Sequence, residues 1–212
     1  MNQPSPSVHT NSRRPGGRTA DVTRRVHEAI IELLIEGGVH ACTVKAVAER
    51  ARIERSTLYR RFPEKWDAII DALMDRAASD VMPELGESFA HDLTSVLRKL
   101  RDILDSPLGP ALLAVAVELR SADGGGYPRA YFDRRMAQLD AMFDAAVARG
   151  ELPATADREE LFTFAAGPIY FRTFIAGRQV DDDFIQAIVS SVCWLYCAPS
   201  AAAKVSRPAR IA

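Results

Sequence analysis

An all-α fold is predicted for this chain on three observations. Apolar residues recur at spacings of three and four along most of its length, and no alternating strand pattern interrupts them. The balance of 48% apolar and 26% charged residues is that of a soluble globular protein rather than a disordered one. No apolar run approaches the roughly 20 residues a membrane-spanning helix needs. The first twenty residues are polar and rich in Pro and Arg, with no apolar h-region. A cytoplasmic protein is therefore expected, with no membrane partner.

Residues 1–19 hold Pro, Ser, Gly and Asn with hardly any apolar side chains, so a disordered tail is expected there. Periodicity then begins. Val22, Val26, Ile30, Leu33 and Leu34 form one stripe of a helix that stops at Gly37-Gly38. Thr43 is placed to cap a short second helix bearing Val44, Val47, Ala48 and Ala51. After a break at Arg52-Ile53-Glu54, a third short helix carries Leu58 and Phe62 on one face. Pro63 sits where another helix can start, and Trp66, Ile69, Ile70, Leu73 and Met74 continue it.

The remainder also reads as helix. Leu93, Val96, Leu97, Leu100 and Leu104 make a stripe ended by Pro107, and residues 110–120 are apolar nearly all round, as in a bundle interior. Gly124-Gly125-Gly126 reads as a hinge; no strand precedes it, as a phosphate-cradling loop requires. Phe132, Met136, Leu139, Phe143 and Val147 lead to Gly150, and two last helices span about 157–177 and 181–197. The expected architecture is thus an N-terminal three-helix helix-turn-helix domain over 20–66 and a C-terminal helical bundle over 67–198. A second disordered tail is expected over 199–212.

Charge separates the two parts. Residues 1–66 carry 12 Lys+Arg against 7 Asp+Glu, whereas the rest carries 15 against 21, so a surplus of five positives faces a deficit of six. A basic head on an acidic body suggests that the head meets a polyanion. On a wheel of about 100° per residue, Leu58 and Phe62 share the buried side of the third helix. Ser56 and Arg60 point the other way, flanked by Thr57 and Tyr59. Hydroxyl, guanidinium and phenol groups hydrogen-bond base edges and phosphates, and no carboxylate interrupts them. Thr43 and Lys45 begin the second helix, where unpaired N–H groups already favour an anion. Arg55 and Arg61 shoulder the third helix, and Lys65 opens the fourth.

Other chemistries find little support. Cys42, Cys193 and Cys197 are an odd, sparse set that implies no disulfide framework. The four histidines never pair with Cys or carboxylates at zinc-ligand spacing. No nucleophile–base pair or phosphate loop stands out. No catalytic residue, metal or cofactor is therefore expected, and an enzyme built on a helical bundle is the remote alternative.

The run from Thr43 to Lys65, TVKAVAERARIERSTLYRRFPEK, resembles the N-terminal DNA-binding domain of tetracycline-repressor-type (TetR) transcriptional regulators. The family pattern is Thr, Ile/Val-Ala, Ala-Gly-Val-Ser, x-x-Thr-Leu-Tyr-x-x-Phe, then Lys. The resemblance puts Lys45, Arg55, Ser56, Thr57, Tyr59, Arg60 and Lys65 at DNA-contacting positions. Two residues depart from the pattern: Arg52 stands where the turn glycine is usual, and Glu54 where a capping serine is. An arginine in a left-handed turn costs roughly 1 kcal/mol, which contact with phosphate would offset. Gly167-Pro168-Ile169-Tyr170-Phe171-Arg172 and Asp181-Asp182-Asp183 resemble the C-terminal domain of one subgroup.

The resemblance further implies a homodimeric repressor that binds a palindromic double-stranded DNA operator and releases it when a small-molecule effector enters the body. The last two helices would form the dimer interface, with Ile185, Ile188, Val189, Val192 and Trp194 as contacts; the same residues also read as core of the single subunit. A pocket would draw on Phe132, Phe164, Tyr170 and Phe174, anchored by Glu118 or Arg172, although aromatic stripes at this spacing also read as core. The alternative within the same fold is a DNA-binding protein without a small-molecule ligand, acting as an activator or with a partner protein.

Overall fold

The computed structural model describes residues 15–80, 83, 85–122 and 126–198, and these are helical with short connections. The tail expectations for residues 1–14 and 199–212, and the hinge at Gly124-Gly125, lie outside the described residues. Helix α1 spans Pro15–Ala41, α2 Val44–Ala51, α3 Arg55–Arg61 and α4 Lys65–Asp80. The body follows with α5 (Phe89–Leu104), α6 (Leu108–Ala122), α7 (Gly126–Ala148), α8 (Arg158–Tyr170) and α9 (Asp182–Tyr196). Residues 15–19, expected in the tail, are the first turn of α1 instead. Proline at a first helical position forgoes only an N–H that would lack an intrahelical partner anyway.

The break at Gly37-Gly38 is present, but helix resumes after it. Gly38 takes φ 65° and ψ −162°, a combination essentially reserved for glycine. A Cβ there would meet no atom within 4 Å, so backbone conformation rather than crowding demands the glycine. Thr43 caps α2 as expected, its hydroxyl accepting the Ala46 N–H at 3.1 Å.

Two cores form, and they do not divide at residue 66. Val26, Ile30 and Leu34 of α1 pack with Val47 and Ala51 of α2, Leu58 of α3, and Ile69 and Leu73 of α4. Leu108, Val115 and Leu119 of α6 complete this head core. Thus α4 and one face of α6 belong to it, although sequence periodicity assigned both to the bundle. The second core joins Leu93 and Leu97 of α5, Leu139 and Phe143 of α7, Leu161 and Ile169 of α8, and Ile185 and Val189 of α9. Half-buried Leu112 on α6 packs against both.

Polar ties fix the corners. Asp92 is fully buried, yet its carboxylate accepts from the Gly86 N–H at 2.6 Å and from Arg149 Nη2 at 3.0 Å. Asp182, at the start of α9, accepts from Arg98 and Arg101 of α5, each at 2.7 Å, and their charge holds its carboxyl below the usual range. Pro168 lies inside α8 near its end, and the helix passes into a π-helical turn over Phe171–Ile175. The missing N–H of a mid-helix proline and such a turn commonly mark functional segments.

Candidate nucleic-acid interface and interior cavity

The turn between α2 and α3 is a Schellman motif. Arg52 N–H donates to Glu49 O and Ile53 N–H to Ala48 O, closing α2 around an Arg52 backbone at φ 53°, ψ 53°. Arg52 is the non-glycine residue with positive φ among those described. Arg25 of α1 reaches across, its Nη1 donating to the Ala51 and Arg52 carbonyls at 3.1 and 3.3 Å. A cation over the last carbonyls of α2 suits the helix dipole and satisfies acceptors the helix leaves open. Glu54 occupies the N-cap of α3 but makes no side-chain capping bond.

This geometry presents α3 outward. Leu58 and Phe62 are buried, while Ser56, Tyr59 and Arg60 are exposed, Tyr59 at 55%. Thr57 is half-buried, and Lys45, Arg52, Arg55, Arg61 and Lys65 are exposed beside them. Thr43 is exposed as well, so of the ten residues the sequence singled out at the turn and its flanking helices nine are exposed and Thr57 is half-buried. Their present engagements differ. Lys45, Arg52 and Arg60 make no ion pair among the described residues, whereas Arg55 lies 4.0 Å from Glu49. Arg61 stacks over the Phe62 ring, and Lys65 Nζ donates to Val39 O at 3.4 Å. Arg50 is withdrawn, paired with Glu36 at 2.7 Å and Glu32 at 3.0 Å on α1.

Behind the recognition helix lies a junction the sequence did not reveal. Buried His27 of α1 sets Nε2 3.0 Å from Asp71 and Nδ1 3.2 Å from Asp75, both on α4, and its ring stands 6.4 Å from that of Phe62. Arg134 of α7 donates to the other Asp71 oxygen at 3.2 Å. One carboxylate thus links helices of head and body.

A cavity of about 300 Å³ opens among α4, α5, α6, α7 and α8. Phe132 and Tyr170 line it as expected residues; Glu118, Phe164, Arg172 and Phe174 do not, which corrects the pocket expectation for those four. Glu118 faces His40 at 3.8 Å, and Phe164 is exposed against Tyr196. Arg172 donates to Gln179 O and lies over the Phe184 ring, while Phe174 packs against Tyr170 and the second core. A buried charged group that the sequence reading did not name, Arg135, also lines the cavity and is only 8% exposed. Sequence reading passed over it because it sits among other charged residues of α7.

The expected dimer contacts also need correction. Ile185, Ile188, Val189 and Val192 are buried in the subunit's own core, so they have little surface left for a partner. Trp194 is 63% exposed, and Leu195, Phe164, Phe171 and Ile175 are exposed with it on α8, the π-helical turn and α9.

Comparisons with known proteins agree with this geometry. The family model described as "Bacterial regulatory proteins, tetR family" matches residues 27–73, and that of the tetracyclin repressor-like C-terminal domain matches residues 83–192. YdeS of Bacillus subtilis, an uncharacterised HTH-type transcriptional regulator, is 28% identical over 84% of this chain and 91% of its own length. A DNA-binding transcriptional repressor TetR of Mycobacteroides abscessus is 28% identical over 81% and 91%. Among solved structures, the TetR family regulator SCO0332 superposes with a TM-score of 0.69 at 24% identity, covering 82% of this chain and 97% of its own. Outward-facing recognition helix, helical body and both matched segments lead to one assignment: the chain belongs to the TetR family of DNA-binding transcriptional regulators.

Proposed function

We propose that the protein is a homodimeric repressor that leaves a palindromic operator when a small molecule enters the cavity. One observation carries the ligand response. Leu73 of α4 and Leu108 of α6 line the cavity and are also part of the head core. A ligand that moves this wall acts on the same packed unit that holds α3, so no separate transmission device is needed. Ligand binding alters DNA affinity only if it favours one arrangement of the heads over the other. The name of the Mycobacteroides abscessus relative supports repression as the direction of control.

The exposed apolar face on α8 and α9 supports dimerisation, since large patches of this kind mark association sites. Two-fold pairing sets recognition helices about 34–36 Å apart, one turn of DNA, or a multiple of it. Thr43, Lys45, Arg52, Arg55, Arg61 and Lys65 then hold phosphates, while Ser56, Thr57, Tyr59 and Arg60 address base edges.

Selection of bound sequences from random duplex DNA tests this reading. A palindrome is expected, with affinity falling steeply as salt rises. Arg60→Ala or Tyr59→Ala should weaken the selected site by about 1–3 kcal/mol, roughly 5- to 150-fold, while leaving thermal stability unchanged. Recovery of no palindrome from a folded sample at low salt would overturn it. A palindrome whose binding responds to no small molecule would favour the ligand-free alternative.

A further inference from the structure

Arg135 lines the cavity with a buried side chain that no carboxylate among the described residues neutralises. Arg135 Nη1 donates to the neutral side-chain oxygen of Gln138 at 3.0 Å, and no carboxylate pairs with it among the described residues. Arginine stays protonated even where burial lowers its pKa, as burial does here, so the charge cannot be shed. Elsewhere in the body the chain supplies partners freely. Arg149 has Asp92 and Glu151, Arg158 has Asp140 and Asp144, and Arg101 has Asp102 and Asp182. The second arginine on the cavity wall, Arg76, is half-exposed and paired with Asp80 at 2.5 Å. Among the described residues no Asp or Glu lines the cavity.

Apart from Arg76, Thr163 and two phenols, the side chains that line the cavity with Arg135 are apolar. Tyr131 and Tyr170 line the same space; desolvation pushes both hydroxyls up, that of Tyr170 to about 12, although 39% of Tyr170 as a whole is exposed. Both therefore remain O–H donors at neutral pH. Leu100, Ile103, Leu112, Phe132 and Phe162 supply hydrocarbon. A desolvated cation, two donors and an apolar chamber at the small end of the roughly 300–1,000 Å³ typical of ligand sites define a complementary shape.

We infer that the cavity takes an apolar monocarboxylate, with its carboxylate on Arg135 and the two phenols and its hydrocarbon body against the leucines and phenylalanines. This deepens, and rests on, the reading of the cavity as the effector site. It also supplies a route to the head. Gln138 donates its side-chain N–H to Met74 O of α4 at 3.1 Å, so one amide joins Arg135 to the helix that enters the head core. A carboxylate is a stronger acceptor for guanidinium than an amide oxygen. A bound carboxylate therefore competes with Gln138 for Arg135, and any shift of Gln138 is felt at its bond to α4.

The test is calorimetric titration of the full chain, without DNA, with straight-chain carboxylates from hexanoate to dodecanoate and with 2-naphthoate. Octanamide and 2-naphthamide serve as neutral counterparts of equal shape. The acids are expected to bind at least about tenfold more tightly than their amides. Arg135→Met should erase that preference without lowering the melting temperature, because relief of an unpaired buried charge offsets the loss of its one hydrogen bond to Gln138. Tyr170→Phe should reduce it in part. Equal binding of acid and amide, no binding by any acid of the series, or a preference that survives Arg135→Met overturns the proposal. An acid that binds through Arg135 yet leaves operator affinity unchanged upholds the anion site and overturns the effector reading instead.

Discussion

Arg52 holds a left-handed backbone that glycine adopts freely and other residues adopt at a cost of about 1 kcal/mol. An exposed cation at the apex of this turn offsets that cost only if it meets phosphate, as the proposed function has it. Arg52→Gly is therefore expected to stabilise the free protein by about 0.5 kcal/mol, the relief of strain being partly offset by the looser unfolded chain. The same change should weaken operator binding and reduce the salt slope by about one ion. Melting and a salt titration on the same variant check both signs; unchanged DNA affinity would remove Arg52 from the interface. The turn was legible because Arg52 stands where the motif has glycine, and motif position fixes backbone conformation. Arg25, whose guanidinium covers the Ala51 and Arg52 carbonyls, was not. Periodicity puts it on a polar flank of α1 and cannot say what lies across from it.

Among the elements, helices with a clean apolar stripe were read with their limits nearly right, since a stripe and its caps are local properties. What a stripe cannot specify is the surface it meets. Ile185, Ile188, Val189 and Val192 form the stripe of α9 and fill the subunit's own core, so the face left for a partner is the one bearing Trp194 and Leu195. Charged partners distant in sequence were equally hidden: nothing near Asp92 announces Arg149, 57 positions on. That pair holds the start of α5 to the end of α7, and Glu151 adds a bond from the Phe89 N–H at 2.8 Å. Arg149→Met leaves Asp92 charged and enclosed, with the Gly86 N–H as its remaining partner, and is expected to cost about 3 kcal/mol in urea unfolding. Asp92→Asn keeps an acceptor for Gly86 and should cost less. Equal losses below about 1 kcal/mol would show that packing alone holds this corner.

At the scale of the whole molecule, head and body are joined through α4 and α6 rather than by a linker, and the body leaves an aromatic face in water. Phe164, Phe171, Ile175, Trp194 and Leu195 are all exposed on α8, the π-helical turn and α9, outside the two cores of the subunit. A second copy covers such a face at the least cost, because two-fold pairing needs only one self-complementary surface. Trp194→Glu places a charge where that contact would be desolvated, but on a single subunit it remains in water. It should therefore convert a dimer into a monomer in sedimentation at micromolar concentration while leaving the melting of the isolated subunit intact. Val189→Glu, one face away and buried, should unfold the bundle instead. The monomer keeps its recognition helix, so it should still bind non-specific duplex at low salt yet lose the palindrome, since one short helix reads too few base pairs for tight binding alone. A Trp194→Glu protein that remains dimeric would move the interface elsewhere; one that is monomeric and still binds the palindrome tightly would separate operator recognition from pairing.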